Sequence, residues 1–284
     1  MPITRNDIRN YYDENTRLFL AFNNSKQAQN IHRSLWTDGV QTLEAALNVT
    51  NERIRLEIES VTQSGARVAD LGCGHGASLL LWQRQFAAAR VLGMELQSAC
   101  VEGWQAHARN GISLHQGRFD QLPLPDTITT LLPATGCDAV VCVDAAYHAD
   151  SLGAFTAVAQ KLLRPQGRLA FTTVLKPVRS RLGDRLKQRL LTRLSGIPPA
   201  SFANADELTL TLTRLGFDGI GIEYLDRAVL QGFADFVTRR AEELPASRRR
   251  SLAWLKIAAT GALCGHWLRR QEAHYVLVSA MRTG

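Results

Sequence analysis

Cysteine is scarce in this sequence, and Cys73, Cys100, Cys137, Cys142 and Cys264 are odd in number without the paired spacing of a metal site. A disulfide framework is thereby excluded as the basis of the fold, and the five read as small buried residues in a reducing compartment. The histidines show no ligand spacing either, so no metal centre is expected. Met1 to Asp7 holds no apolar core, which excludes a secretory leader and sets the expectation of a cytoplasmic protein. Internal repeats and low-complexity tracts are absent. Long apolar runs are lacking too: Ser251 to Leu268 has about the length of a membrane span, but Lys256, His266 and flanking arginines argue against one. It reads as a buried or lid helix, with a helix lying on a membrane surface as the alternative.

What is present is ordinary in bulk. The 284 residues are 45% hydrophobic and 21% charged, enough to bury a substantial core. The net charge of +7 comes mostly from arginine. It leaves two readings open, an anionic partner or lipid surface and a merely basic protein.

The informative stretch is Ala66 to Gly76. Ala66 to Leu71 is an apolar run with one acid, Asp70, near its end, and predicts a buried strand. Gly72, Cys73, Gly74 and Gly76 follow at once, and Ala77 to Phe86 then carries apolar residues at helical spacing. A strand, a glycine turn and a helix build the nucleotide-binding half of a doubly wound sheet. Glycine permits the tight turn and lets a ligand approach where a Cβ would collide. The pattern is G-x-G-x-G, without the later third glycine of the dinucleotide fingerprint, and Asp70 precedes it by two residues. Both features favour a ligand that has no pyrophosphate.

At Val68-Ala-Asp-Leu-Gly-Cys-Gly-His-Gly76 the chain resembles the first motif of class I S-adenosylmethionine-dependent methyltransferases. The resemblance implies an α/β fold: a doubly wound, seven-stranded, mostly parallel sheet with its last strand antiparallel, N-terminal helices and a helical lid. It implies S-adenosylmethionine as cofactor, with Asp70, Gly72, Cys73 and Gly74 in its binding site. Arg90 to Glu95 reads as the second strand, and Glu95 sits at the spacing where a carboxylate accepts both ribose hydroxyls. Leu96 and Gln97 then flank the adenosine. Ile112 to His115 reads as the third strand. After it, the resemblance makes Asp120 the acceptor for the adenine amino group and Phe119 the packing surface for the ring.

Cys137 to Asp144 is almost wholly apolar and predicts a fourth strand covered on both faces. Leu152 to Leu163 reads as a helix, Pro165-Gln-Gly167 as a turn and Arg168 to Val174 as the fifth strand. This order matches the methyltransferase layout. Asp70, Glu95, Asp120 and Asp144 all fall near strand ends, where ligands of such sheets bind, so Asp144 joins the cofactor set. Tyr147-His148 follows the fourth strand. The sequence there is similar to small-molecule O- and C-methyltransferases with a His-His-Met-Pro-Asp stretch, which casts His148 as a base and Tyr147 as its neighbour at the reacting centre. The chain departs from that stretch at Tyr147 and Asp150, and it has Thr172-Thr173 where relatives carry an acid. A purely structural His148 stays open.

Tyr11-Tyr-Asp-Glu-Asn-Thr-Arg-Leu-Phe-Leu20 looks like the N-terminal segment of the tocopherol and cyclopropane-fatty-acid groups, which makes Tyr12 a candidate cofactor contact. Three regions are expected: a helical cap over 1–63, a cofactor core over 64–175, and the rest of the sheet over 176–284. Lid insertions fall at 179–204, where a basic amphipathic helix is predicted, and at 231–270. Asp144-Ala-Ala-Tyr147 lacks the prolines of enzymes that methylate adenine or glutamine nitrogen, and no nucleic-acid module is apparent. The expected partner is a small, apolar methyl acceptor, methylated at carbon or oxygen, with no nucleic acid. Peripheral membrane contact and a homodimer remain open. The rival readings are an RNA or protein methyltransferase, from the basic helix, and a non-catalytic cofactor-binding or membrane-surface protein.

Overall fold

The computed structural model describes residues 33–86, 89–105, 110–130, 135–178, 192 and 196–284. Tyr12 and its segment, and all of the basic stretch 179–194 except Thr192, lie outside the described residues. Seven strands are present: β1 (Arg67–Leu71), β2 (Arg90–Glu95), β3 (Ile112–Gln116), β4 (Cys137–Cys142), β5 (Leu163–Leu175), β6 (Phe217–Tyr224) and β7 (His274–Arg282). They form one sheet in the order β3-β2-β1-β4-β5-β7-β6. The first five pair in parallel, and β7 inserts antiparallel between β5 and β6. This is the doubly wound architecture expected from the sequence.

Nine described α-helices complete the fold: α1 (Leu43–Ile58), α2 (Ala77–Gln85), α3 (Ser98–Gln105), α4 (Asp126–Thr129), α5 (Leu152–Leu162), α6 (Ala205–Arg214), α7 (Gly232–Glu243), α8 (Ala246–Arg249) and α9 (Leu252–Arg270). The central strands are apolar for most of their length because both faces are covered, and alternate residues serve opposite layers. Val68, Ala139, Val141 and Ala170 pack with Ile54 of α1 and Trp82 of α2. Ala69, Leu71, Val140, Cys142 and Phe171 pack with Phe155 of α5 and Leu208 of α6. A third cluster joins Leu35 and Tyr147 to α7 and α9 through Phe233, Val237, Trp254 and Trp267. That cluster roofs the carboxyl end of β4.

Caps explain several boundaries. Thr42 accepts from the Ala45 N–H to start α1, and Asn204 with Glu207 forms a full capping box on α6. Within the expected helical cap, α1 starts only after the turn at Gly39 and is followed by a 3-10 turn, Glu59–Val61. The fifth strand was expected to begin after the Pro165–Gly167 turn, yet β5 starts at Leu163. Gln166 takes a left-handed φ of 61°, and the β4–β5 register shifts between Cys137 and Ala139. The turn is therefore absorbed as a bulge, with Cys137 still paired to Leu163.

The stretch that had the length of a membrane span is α9. Its Trp254, Ile257, Cys264 and Trp267 are buried, as a roof helix requires. Among the described residues no helix is long and apolar enough to cross a membrane.

Candidate cofactor site at the sheet switch point

The strand order reverses between β1 and β4, which opens a crevice beyond their carboxyl ends. The glycine turn enters that crevice directly from β1. Gly72, Gly74 and Gly76 all have positive φ, and the Gly72 and Cys73 N–H groups both donate to the Met94 carbonyl of β2. Glu95, at the end of β2, is buried and clamps the turn: one carboxylate oxygen accepts from Gly74 N at 2.9 Å, the other from Gln97 N at 2.9 Å. Gln97 is buried and receives the Cys100 thiol at 3.2 Å, while Leu96 is half-buried beside it. Phe119 lies against Gly72 and meets Phe155 edge-on at 6.0 Å. The fold thus gathers Gly72, Cys73, Gly74, Glu95, Gln97 and Phe119 at one place.

These residues fit a nucleoside ligand. A Cβ built on Gly74 would meet nothing within 4 Å, so the space above the turn is open. On Gly72 the same atom would strike Ala145 at 2.6 Å, which makes that glycine a packing requirement of the turn itself.

Asp70 lies beneath the turn, on the α2 side. Trp82 donates its indole N–H to one oxygen at 2.7 Å, and the other oxygen is buried without a hydrogen-bond partner among the described residues. Burial pushes the carboxyl up from 3.8 to about 6, against the pull of Ser78 and Trp82, with the charge of Glu95 adding to the rise. The folded state therefore holds a proton more tightly than the unfolded chain does. Stability linked to Asp70 is fully present below the unfolded pKa and is lost as pH rises toward 6. Asp70→Asn keeps an oxygen for Trp82 but cannot ionise. The stability advantage of this variant over wild type should therefore grow by about 2 kcal/mol between pH ~4.5 and ~7.5. Urea unfolding at the two pH values measures it, and a difference independent of pH would remove the argument.

Asp120 and Asp144 are placed differently from the glycine-turn set. Asp120 is gripped by Arg118, whose Nε donates at 2.8 Å, and it also accepts from the Asp150 N–H at 2.6 Å. Arg118 continues to the Asp150 carboxylate at 2.7 Å. This triad ties the loop after β3 to the loop after β4. The fourth strand was expected to reach Asp144 but ends at Cys142, because Asp144 adopts a left-handed φ of 56°. Aspartate tolerates that region better than most side chains.

Several groups hold Asp144 there. Its N–H donates to Thr172 Oγ1 at 2.7 Å. Its carboxylate accepts from Arg33 N at 2.7 Å, Arg33 Nη1 at 2.9 Å and the Tyr275 hydroxyl at 3.1 Å. Arg33 Nη1 also donates to the Tyr147 hydroxyl at 2.6 Å, and the Thr172 hydroxyl, 2.9 Å from the Tyr275 oxygen, donates to it. Burial works against the guanidinium charge, but Tyr147 and Asp144 together push the Arg33 pKa further above the ordinary arginine value.

Sequence reasoning missed Arg33 and Tyr275. Arg33 stood in a stretch with no periodicity to read, and Tyr275 looked like any strand residue. The one available signal was Asp144 itself, an acid at the end of an apolar run with no arginine or lysine close by in sequence.

Tyr147 and His148 lie in a buried 3-10 turn, Ala146–His148, with ring centroids 4.3 Å apart. His148 Nδ1 lies 2.8 Å from the Gly196 carbonyl, which fixes the proton on that nitrogen and leaves the lone pair on Nε2. Burial is the chief reason its pKa falls to about 4, with Arg33 contributing in the same sense, so the ring is neutral at physiological pH. His75, in the glycine turn, approaches the Cys100 sulfur at 3.8 Å. The five cysteines are all buried, and among the described residues none forms a disulfide.

Comparison with known proteins agrees with this geometry. Residues 69–171 match the family described as a methyltransferase domain. A fatty-acid O-methyltransferase of Mycolicibacterium smegmatis is 29% identical over 109 residues, covering 38% of this chain and 37% of that protein. The phthiotriol/phenolphthiotriol dimycocerosates methyltransferase 1 of Mycobacterium ulcerans is 27% identical over 135 residues, covering 46% of this chain and 47% of that protein. The chain thus aligns with less than half the length of either relative. A geranyl diphosphate methyltransferase solved with GPP and sinefungin superposes with a TM-score of 0.72 at 15% identity, over 98% of each chain. Residues 69–171 thus match a methyltransferase domain, set in a chain that shares the fold of a geranyl diphosphate methyltransferase.

Proposed function

We propose that the protein is an S-adenosylmethionine-dependent methyltransferase acting on a small, apolar, lipid-like acceptor at carbon or oxygen. The observation that carries this reading is the open space over Gly74, whose N–H donates to the buried Glu95 carboxylate, with the Phe119 ring against neighbouring Gly72. Glu95 is the group to receive the ribose hydroxyls, Phe119 to pack on the adenine, and the Gly72–Gly74 turn to admit the ligand. Leu96 and Gln97 flank the same space. Asp70 and Asp144 shape the turns on either side of it, Asp120 anchors its wall, and Tyr12 is carried as a further contact. The cofactor brings an activated methyl group whose sulfur leaves as a neutral thioether. The chain's own task is to align the acceptor and keep water out.

The roof over Tyr147 supports an apolar acceptor, since Leu35, Val229, Phe233, Trp254 and Trp267 cluster with it. The relatives named for fatty acids and dimycocerosates are of matching chemistry. His148 enters the reaction neutral and as a weak base, so it serves an acceptor that surrenders an acidic proton or none at all. His148→Ala should lower kcat with little change in cofactor affinity. Because the ring stays neutral, the wild-type rate should show no inflection near pH ~6.5 from this group. Full activity in the variant would reduce His148 to a structural hydrogen bond.

The cap over 1–63, the core over 64–175 and the lid-bearing remainder belong to the same proposal, as do a cytoplasmic setting, peripheral contact with a lipid surface and a homodimer. The decisive test supplies labelled S-adenosylmethionine to the protein with separate lipid, RNA and protein extracts. Label in the organic phase supports the reading. Label only in macromolecules would transfer it to RNA or protein methylation, and cofactor binding without any acceptor would favour a non-catalytic role.

A further inference from the structure

α7 and α9 are joined by a short turn built on the single-turn helix α8, and it carries three consecutive arginines. Pro245 opens this turn, accepting the Arg248 and Arg249 N–H groups at 3.0 and 3.1 Å. Ser251 closes it, with its hydroxyl donating to the Arg248 carbonyl at 2.7 Å and accepting from Trp254 N at 3.2 Å. The backbone of the turn is thus pinned at both ends. Arg248, Arg249 and Arg250 all point to solvent, and none enters an ion pair with another described residue.

The surroundings leave that charge uncompensated. Between Leu244 and Gln271 the sequence contains no acid. The nearest exposed acids are Glu242 and Glu243, and Glu243 is taken by Arg240 at 2.7 Å. The large side chain exposed alongside is aliphatic: Leu255, one turn into α9, is 53% exposed. The tryptophans of α9 face inward, so the turn offers no aromatic surface on which a base could stack. Cations beside an aliphatic anchor match a bilayer interface better than a nucleic acid.

Position adds a reason. The inner faces of α7 and α9 form the roof over Tyr147, while the arginine turn is the outer tip of the same hairpin. We propose that Arg248–Arg250, with Leu255, dock the protein on an anionic lipid bilayer and so set the hairpin that roofs Tyr147 against the membrane. The choice of a lipid surface rests on the lipid-like acceptor argued above, whereas the docking itself can be measured without any acceptor.

The experiment is co-sedimentation of the full chain with phosphatidylcholine vesicles that contain or lack phosphatidylglycerol, at low and high salt. Each basic residue near an anionic surface strengthens binding about fivefold, so R248S/R249S/R250S should weaken it by roughly a hundredfold. Leu255→Ser should weaken it less, and high salt should abolish it. Thermal unfolding of both variants confirms that these exposed positions leave the fold intact. Binding that ignores phosphatidylglycerol, survives the triple change or is displaced by poly(U) at lower concentration than by anionic vesicles overturns the proposal. Calorimetry with S-adenosylhomocysteine separates the two ideas. A protein that binds the nucleoside but no vesicles refutes the docking alone, and one that binds vesicles but no nucleoside refutes the methyltransferase reading alone.

Discussion

Arg33→Met should lower the stability of the folded protein by about 3–5 kcal/mol, the loss usual when one member of a buried ion pair is removed. Arg33 and Asp144 are 11% and 6% exposed at the side chain, so little water screens or replaces the lost partner. The variant strands the Asp144 carboxylate with Tyr275 as its remaining side-chain donor. It also removes the cation that fixes the Tyr147 hydroxyl. Because Asp144 already sits at a left-handed φ, the turn after β4 has no relaxed state nearby in which to hide the charge. Denaturant unfolding measures the effect. Adding Asp144→Asn to Arg33→Met should recover part of it, since the stranded charge disappears, and the double-variant cycle should give a coupling of more than 1 kcal/mol. Strictly additive losses would mean that the pair does not act as a unit.

Gly74→Ala should weaken binding of S-adenosylmethionine by roughly a hundredfold, or about 3 kcal/mol, beyond a smaller loss of stability in the unbound protein. The new methyl group meets no protein atom within 4 Å. Its cost in the unbound protein is the strain of alanine at a φ of +55°, about 1–2 kcal/mol. If the ligand fills that space, the methyl group stands where the nucleoside must lie. Gly72→Ala is the contrasting variant. There the methyl group would collide with Ala145 and press on Phe119, so stability and affinity should fall together. Calorimetry with unfolding on both variants checks the pair. Unchanged affinity in a folded Gly74→Ala protein would place the cofactor elsewhere.

Much of the architecture was legible in the sequence because parallel strands buried on both faces must be apolar for most of their length. β1 and β2 were found within a residue of their ends for that reason. The glycine turn was equally plain, since nothing else produces three glycines at that spacing directly after a buried strand. The acids were harder to read. A carboxylate at a strand end looks the same whether it faces a ligand or an arginine, and Asp120 is held by Arg118 at a separation of two residues. Asp144 is held by Arg33 across 111 residues. A contact that distant leaves no periodic trace. The bulge at Gln166 was hidden because a Pro-x-Gly sequence normally ends a strand, and only pairing with β4 carries the backbone through it.

The antiparallel insertion of β7 has a consequence for how the protein is made. Tyr275, which helps hold Asp144, is 131 residues further along the chain. A ribosome adding about 5–20 residues per second needs on the order of ten seconds to cover that distance. Throughout that interval the nascent chain already contains the glycine turn and four parallel strands, while the gap beside β5 waits for its neighbour. The glycine-turn side of the crevice can thus form early during translation, whereas the side at Asp144 and Tyr147 is locked only after release of the late strand.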